Sequence, residues 1–151
     1  MRKACLLAVP LLLLDQVSKF FAMRLTSPVV LLEGILRLRY AQNTGVAFSL
    51  LAQWPFLPPV LAVILLAALL YGLRKLRFTK TSTAAVGLII AGAVGNEIDR
   101  LLRGFVVDMI EPVFMNFAVF NVADVYICVG CGLLALSILL QKESWKEVMG
   151  G

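Results

Sequence analysis

Four apolar runs, each close to the ~20 residues needed to cross the hydrocarbon core of a bilayer, dominate this chain. They extend from about Ala4 to Ala22, Leu57 to Leu73, Thr83 to Leu102 and Val122 to Leu140. Hydrophobic residues make up 61% of the 151 positions and charged residues only 15%, against roughly 25% charged in soluble domains. Mean hydropathy is +0.94. The expectation is an all-α membrane protein with four transmembrane helices. The whole chain forms a single integral membrane domain, with no spare length for a soluble catalytic module.

The gaps between these runs decide orientation. The net charge of +5 could suggest nucleic acid, but the basic residues sit mainly between the apolar runs. Arg2 and Lys3 precede the first run; Arg74, Lys75, Arg77 and Lys80 divide the second from the third; Lys142 and Lys146 follow the fourth. With four spans these three regions share one side, which the positive-inside rule makes cytoplasmic. Both termini then lie inside, and the connections between runs one and two and between three and four face out. The first run, with Arg2-Lys3 ahead of it, resembles a secretory signal peptide. Asp15, Gln16, Ser18 and Lys19 interrupt it and no small-x-small cleavage site follows, so an uncleaved helix is expected.

The first outward connection has structure of its own. Ile35-Leu36-Arg37-Leu38-Arg39-Tyr40 alternates apolar and basic residues, the period of a half-buried strand. Its basic face is read either as solvated or as meeting anionic lipid headgroups. Asn43-Thr44-Gly45 reads as a turn, and Ala47 to Leu51 as a short interfacial helix. Trp54 and Phe56 suit an interfacial belt ahead of the second run.

Polar residues in such a chain are expensive and read by default as functional. Asp15 and Lys19, four apart, share a helix face and can pair. Asn96, Asp99, Arg100 and Arg103 form one stripe of the third run, and Gly104 fits its C-terminal cap. Arg100 is expected to point outward, toward a carbonyl or lipid phosphate, or else to staple helices together. Asn121 suits an N-cap with Asp124 three residues on, close to a capping box. Capping alone leaves Asp108 unexplained, since it lies in Phe105-Val106-Val107-Asp108-Met109-Ile110, where an isolated carboxylate is costly. Asp124 is its obvious partner. There is no histidine, which removes triads built on imidazole. Cys128 and Cys131 form C-x-x-C within an apolar run and are read as small helix-packing residues.

Two neighbouring carboxyls share a proton and titrate as a pair. One can take a proton from water while the other donates to a carbonyl oxygen, so a small intramembrane hydrolase is the leading reading. Desolvation places the shared proton on Asp108, leaving Asp124, at a helix N-terminus, as the base. A proton-coupled transporter would instead distribute such groups across the bilayer. A lipid-binding or assembly protein would need only Arg100 and the Arg37/Arg39 strand.

Four motifs in order then match a known family: Asp15-Gln-Val-Ser-Lys19, Asn43-Thr-Gly45-Val-Ala-Phe-Ser49, Gly95-Asn96-Glu-Ile-Asp99-Arg100 with Gly104 and Asp108, and Phe120-Asn121-Val-Ala-Asp124. The chain resembles lipoprotein signal peptidase (signal peptidase II), the bacterial membrane aspartyl peptidase family. Glu97, where that family usually has an apolar residue, and Met109, where Phe is common, depart from the pattern. The resemblance implies four transmembrane helices with a small outward β-element and a short interfacial helix. It implies a substrate prolipoprotein carrying diacylglycerol on its lipobox cysteine, cut just before that cysteine. By position Asp108 and Asp124 form the catalytic dyad. Asn43, Gly45, Asn96, Arg100 and Asn121 line or support the site, with Asp15, Lys19 and Asp99 in supporting roles. A monomer in the bacterial inner membrane is expected, contacting membrane lipids but no nucleic acid and needing neither metal nor cofactor, with its site toward the outer face.

Overall fold

Long runs of Leu, Val, Ala and Ile that enter lipid must satisfy every backbone group internally, which makes them helices. The computed structural model describes residues 1–45, 57–73 and 78–140. In chain order the elements are α1 (Arg2–Ala22), β1 (Val29–Leu32), β2 (Leu36–Asn43), α2 (Leu57–Leu73), α3 (Lys80–Arg103), β3 (Val106–Pro112) and α4 (Val122–Leu140). Helices α1, α3 and α4 are long and apolar enough to cross a membrane, whereas α2 is a shorter apolar helix of 17 residues. Helix α3 begins three residues before the apolar run. Thr79 caps it there, its hydroxyl accepting from Ser82 N at 3.1 Å while Ser82 Oγ accepts from Thr79 N at 2.7 Å, the reciprocal arrangement of a capping box. At its other end Gly104 adopts φ +79°, and its N–H donates to the Arg100 carbonyl.

Helix α3 lies between α1 and α4 and is the most buried of the spans. Small residues permit this. A Cβ on Gly92 would lie 2.4 Å from the Ala123 carbonyl oxygen, and one on Gly130 would lie 2.8 Å from that of Ala85. Ala4, Ala85, Val86, Ile89 and Leu134 fill the apolar core below. The outer surface is itself apolar, with Leu6, Leu13, Phe21, Leu65 and Leu139 all exposed. Lipid covers such a surface at no cost.

The expected β-element is present and larger than the sequence suggested. Strands β1, β2 and β3 form an antiparallel sheet in that order. The fold is therefore mostly helical rather than all-α. Strand β3 shows no alternation because both its faces are covered at first: Val106, Val107, Asp108 and Met109 are all buried. Alternation needs one wet face, so β3 reads like helix-flanking apolar sequence. Strand β1, Val-Val-Leu-Leu, is wholly exposed. Cys128 and Cys131 face outward, contrary to the packing role expected of them; Gly130 between them makes the contact with α3 instead. The interfacial helix expected at Ala47 to Leu51, together with Trp54 and Phe56, lies outside the described residues.

Candidate active site

Every element around the site delivers its polar group to one end of the bundle. Asp15 and Lys19 come from the last turns of α1, Asn96 and Asp99 from the last turns of α3, and Asn121 and Asp124 from the start of α4. Because α4 runs opposite to α1 and α3, its start meets their ends. Strand β3 follows α3 directly and carries Asp108 to the same layer.

The two aspartates share one bridging residue. Asn121 Nδ2 donates to Asp108 Oδ1 at 2.7 Å, and Asn121 N donates to Asp124 Oδ2 at 3.1 Å. Asp124 N in turn donates to Asn121 Oδ1 at 2.9 Å. The capping box expected at α4 is thus real, and it leaves the second oxygen of Asp124 for Asn96 Nδ2, which donates to Oδ1 at 2.8 Å. Asp108 Oδ2 accepts from Asn43 Nδ2 at 2.9 Å. Asn43 ends β2, and its own Oδ1 accepts from Gly45 N at 2.9 Å. Gly45 has φ +78°, a left-handed conformation that glycine adopts without strain. This is the expected Asn43-Thr44-Gly45 turn, now with a purpose: it aims the Asn43 amide at Asp108.

Asp108 is 2% exposed. Burial pushes its carboxyl up from the ordinary value, the Asn121 and Asn43 donors oppose that, and the negative charge of Asp124 adds to it. Asp108 and Asp124 are thus held on either side of the Asn121 side chain and backbone.

Beneath them lies a buried ionic layer. Lys19 is fully buried, with Nζ 3.0 Å from Asp15 Oδ2, 3.1 Å from Asp99 Oδ2 and 2.9 Å from Asn96 Oδ1. Asp15 Oδ1 accepts from Ala123 N in the first turn of α4 at 3.0 Å. Asp99 Oδ2 accepts from Val107 N at 2.9 Å, and Arg103 pairs with its other oxygen. One carboxylate thus ties α1 to α4 and the other ties α3 to β3. Gly95 belongs to this layer, since a Cβ there would lie 2.5 Å from Asp15 Oδ2. Gln16 does too, donating to Gly95 O and Asp15 Oδ2. The sequence hinted at that role only by placing Gln16 within the polar Asp15-Gln-Val-Ser-Lys19 stretch.

Arg100 does not join this group. It is partly exposed and stands 3.6 Å from Glu97, one turn back on α3. The basic face of β2 is likewise answered within the fold. Arg37 and Arg39 both pair with Glu111 of β3, directly across the sheet in register with Arg37. These contacts lower the Glu111 carboxyl below its ordinary value. Among the described residues no group of three or more His, Cys, Asp or Glu side chains is arranged to hold a metal ion.

Comparison with known proteins fits this arrangement. Residues 7–140 match the model of the peptidase A8 family, signal peptidase (SPase) II. The chain belongs to the signal peptidase II family. The lipoprotein signal peptidase of Enterococcus faecalis is 38% identical, over 91% of this chain and 88% of its own length. That of Streptococcus agalactiae serotype Ia is 37% identical over 100% of this chain and 98% of its own. Two solved structures of a bacterial membrane enzyme superpose with TM-scores of 0.81 and 0.83, each at 28% identity. They cover 94% and 93% of this chain, and 90% and 95% of theirs. This member of the signal peptidase II family is accordingly a membrane protein of the peptidase class, with a three-stranded sheet set against one end of its helices.

Proposed function

We propose that this chain is an aspartyl endopeptidase that removes signal peptides from diacylglyceryl-modified prolipoproteins, cutting just before the lipidated cysteine. The observation that carries the reading is Asn121, one residue hydrogen-bonded to both Asp108 and Asp124 in a chain of the signal peptidase II family. The ionised member of the pair takes a proton from water, which attacks the scissile carbonyl; the protonated member donates to the carbonyl oxygen. Proton roles then exchange as the amine leaves. Desolvation of Asp108 favours its holding the proton first, leaving Asp124, in the first turn of α4, as the base.

The site lies at the ends of three helices, which supports water reaching it from the interface rather than from mid-bilayer. Helix α2, 17 residues or about 26 Å at 1.5 Å per residue, completes a fourth span. Both termini are then cytoplasmic, with the site at the outer face, because Arg2, Lys3 and Lys80 lie at the opposite end. Arg100 is partly exposed in the last turn of α3, where its guanidinium can meet a substrate ester or phosphate. Alignment of the acidic groups in one layer supports this reading over a transport relay, which would spread them through the bilayer.

The test is cleavage of a diacylglyceryl-modified lipobox peptide by purified protein in detergent, with and without a chelator. Two fragments split before the modified cysteine are expected, and neither with Asp108→Asn nor with Asp124→Asn. Full activity in either variant overturns the dyad.

A further inference from the structure

An asparagine amide can present either an N–H donor or a carbonyl acceptor, and what holds its oxygen decides which. Three asparagines face the two aspartates, and all three present donors. For Asn43 and Asn121 the oxygen is held by a backbone N–H, from Gly45 and Asp124 respectively. Asn96 has no such partner, since it lies inside α3, where backbone N–H groups are spent on the helix. Its oxygen is held instead by Lys19, reaching across from α1.

An ammonium donates three hydrogen bonds and accepts none. Opposite Lys19, Asn96 can therefore turn only its oxygen, which leaves Nδ2 facing Asp124 Oδ1 at 2.8 Å. Lys19 is itself immobilised. It is fully buried, and its three protons are matched by three acceptors: Asp15 Oδ2, Asp99 Oδ2 and Asn96 Oδ1. A mere charge-balancing ion pair would need only the two carboxylates; the third bond is the one that reaches the dyad.

We infer that Lys19 is a positioning residue for the proteolytic site: by locking the Asn96 amide it keeps a hydrogen-bond donor on Asp124 and so holds the anion that activates water. This rests on the dyad reading above. Without Lys19 the Asn96 amide is free to turn its oxygen to Asp124, replacing an attraction by a repulsion. The charge of Lys19 also acts on Asp108, in the direction that opposes its burial.

The experiment measures turnover of the diacylglyceryl-modified lipobox peptide by Lys19→Met, Lys19→Arg and the charge-balanced pair Lys19→Met with Asp99→Asn. A hydrogen bond to a charged group is worth enough that kcat should fall about 10- to 100-fold in both Met variants, with KM within about twofold. The acid limb of the kcat–pH profile should move as well, because a hydrogen-bond donor facing the site is lost. The ionisable groups facing Lys19 or its partners are Asp15, Asp99, Arg103, Asp108, Asp124 and Tyr126, and the balanced pair keeps the net charge of Lys19 and these groups together unchanged. Lys19→Arg, which also only donates, should recover part of the rate.

A structural staple alone predicts lower thermal stability with kcat per folded molecule and the pH profile unmoved, and that result overturns the proposal. Should the Met variants fail to fold, the wild type decides. Nuclear magnetic resonance contacts from Lys19 Nζ to Asn96 Cγ and from Asn96 Nδ2 to Asp124 Cγ are expected, and their absence overturns it. Asp124→Asn runs alongside. If it cleaves, the dyad has failed; if it is dead while the Lys19 variants run at full rate, only the positioning has.

Discussion

The two ends of the α1–α3–α4 core are built on opposite principles. At the apolar end the helices meet through Ala4, Ala85, Val86, Ile89 and Leu134, with Gly130 admitting close approach. At the other end the same helices meet through Asp15, Lys19, Asn96, Asp99 and Asn121, all buried and all hydrogen-bonded to named partners. Apolar packing fixes volume and little else, so swaps that keep volume cost little. Buried ionic groups gain little net stability, because desolvation offsets most of their attraction. What they do gain is direction: every donor has one acceptor and every amide one orientation. The comparison teaches that the apolar end holds the helices together, while the polar end aims two carboxylates.

The largest contrast should come from the dyad itself. Asp108→Asn and Asp124→Asn should each lower cleavage by about 10³-fold or more, with the protein still folded in detergent. Leu134→Met, at the apolar end, should leave activity per folded molecule unchanged and cost less than about 1.5 kcal/mol in thermal unfolding. Loss of activity in Leu134→Met would break the division between the two ends.

Two glycines sharpen it next. Gly130→Ala forces a Cβ toward the Ala85 carbonyl and Ile89 and should cost about 1–3 kcal/mol of stability while sparing turnover. Gly95→Ala forces a Cβ to within 2.5 Å of Asp15 Oδ2, and should lower stability and turnover together, since Asp15 anchors both Lys19 and the first turn of α4. Equal effects of the two on turnover would show that the ends are not separable.

Smaller still is the cap. Thr79→Ala removes the acceptor for Ser82 N and should cost about 1 kcal/mol, read as a lower melting temperature with kcat intact.

The smallest effect is the pH dependence of stability. Asp108 has its folded-state carboxyl raised above the ordinary 3.8. In the window from that value up to the raised one, the folded protein holds more protons than the unfolded chain, so stability falls as pH rises through it. The melting temperature of the wild type, relative to Asp108→Asn, should therefore decline across that window. A flat or rising difference would mean that Asp108 is not held in a desolvated place.

Much of this was legible in order along the chain. The four apolar runs located the four helices to within a few residues, because hydrocarbon allows an apolar segment no other backbone structure. Spacing alone paired Asp15 with Lys19, set Asn121 and Asp124 as a cap, and ended α3 at Gly104, since each is decided within one or two helical turns. Strand β2 was visible because basic and apolar residues alternate along it.

Tertiary structure alone decided the rest. Asp108 lies on a strand that sequence could not show, since burial on both faces erases its period. Asn43 and Asn96 meet different carboxylates, although both were read only as supporting the site. Arg37 and Arg39, though part-exposed, pair with Glu111, 74 and 72 residues away. Arg100 turns to Glu97, and Cys128 and Cys131 face outward. The physical reason is the same in each case. Periodicity records which side of an element is apolar, but the partner of a buried polar group is set by directional bonds across elements, and those exist only once the helices and sheet have met.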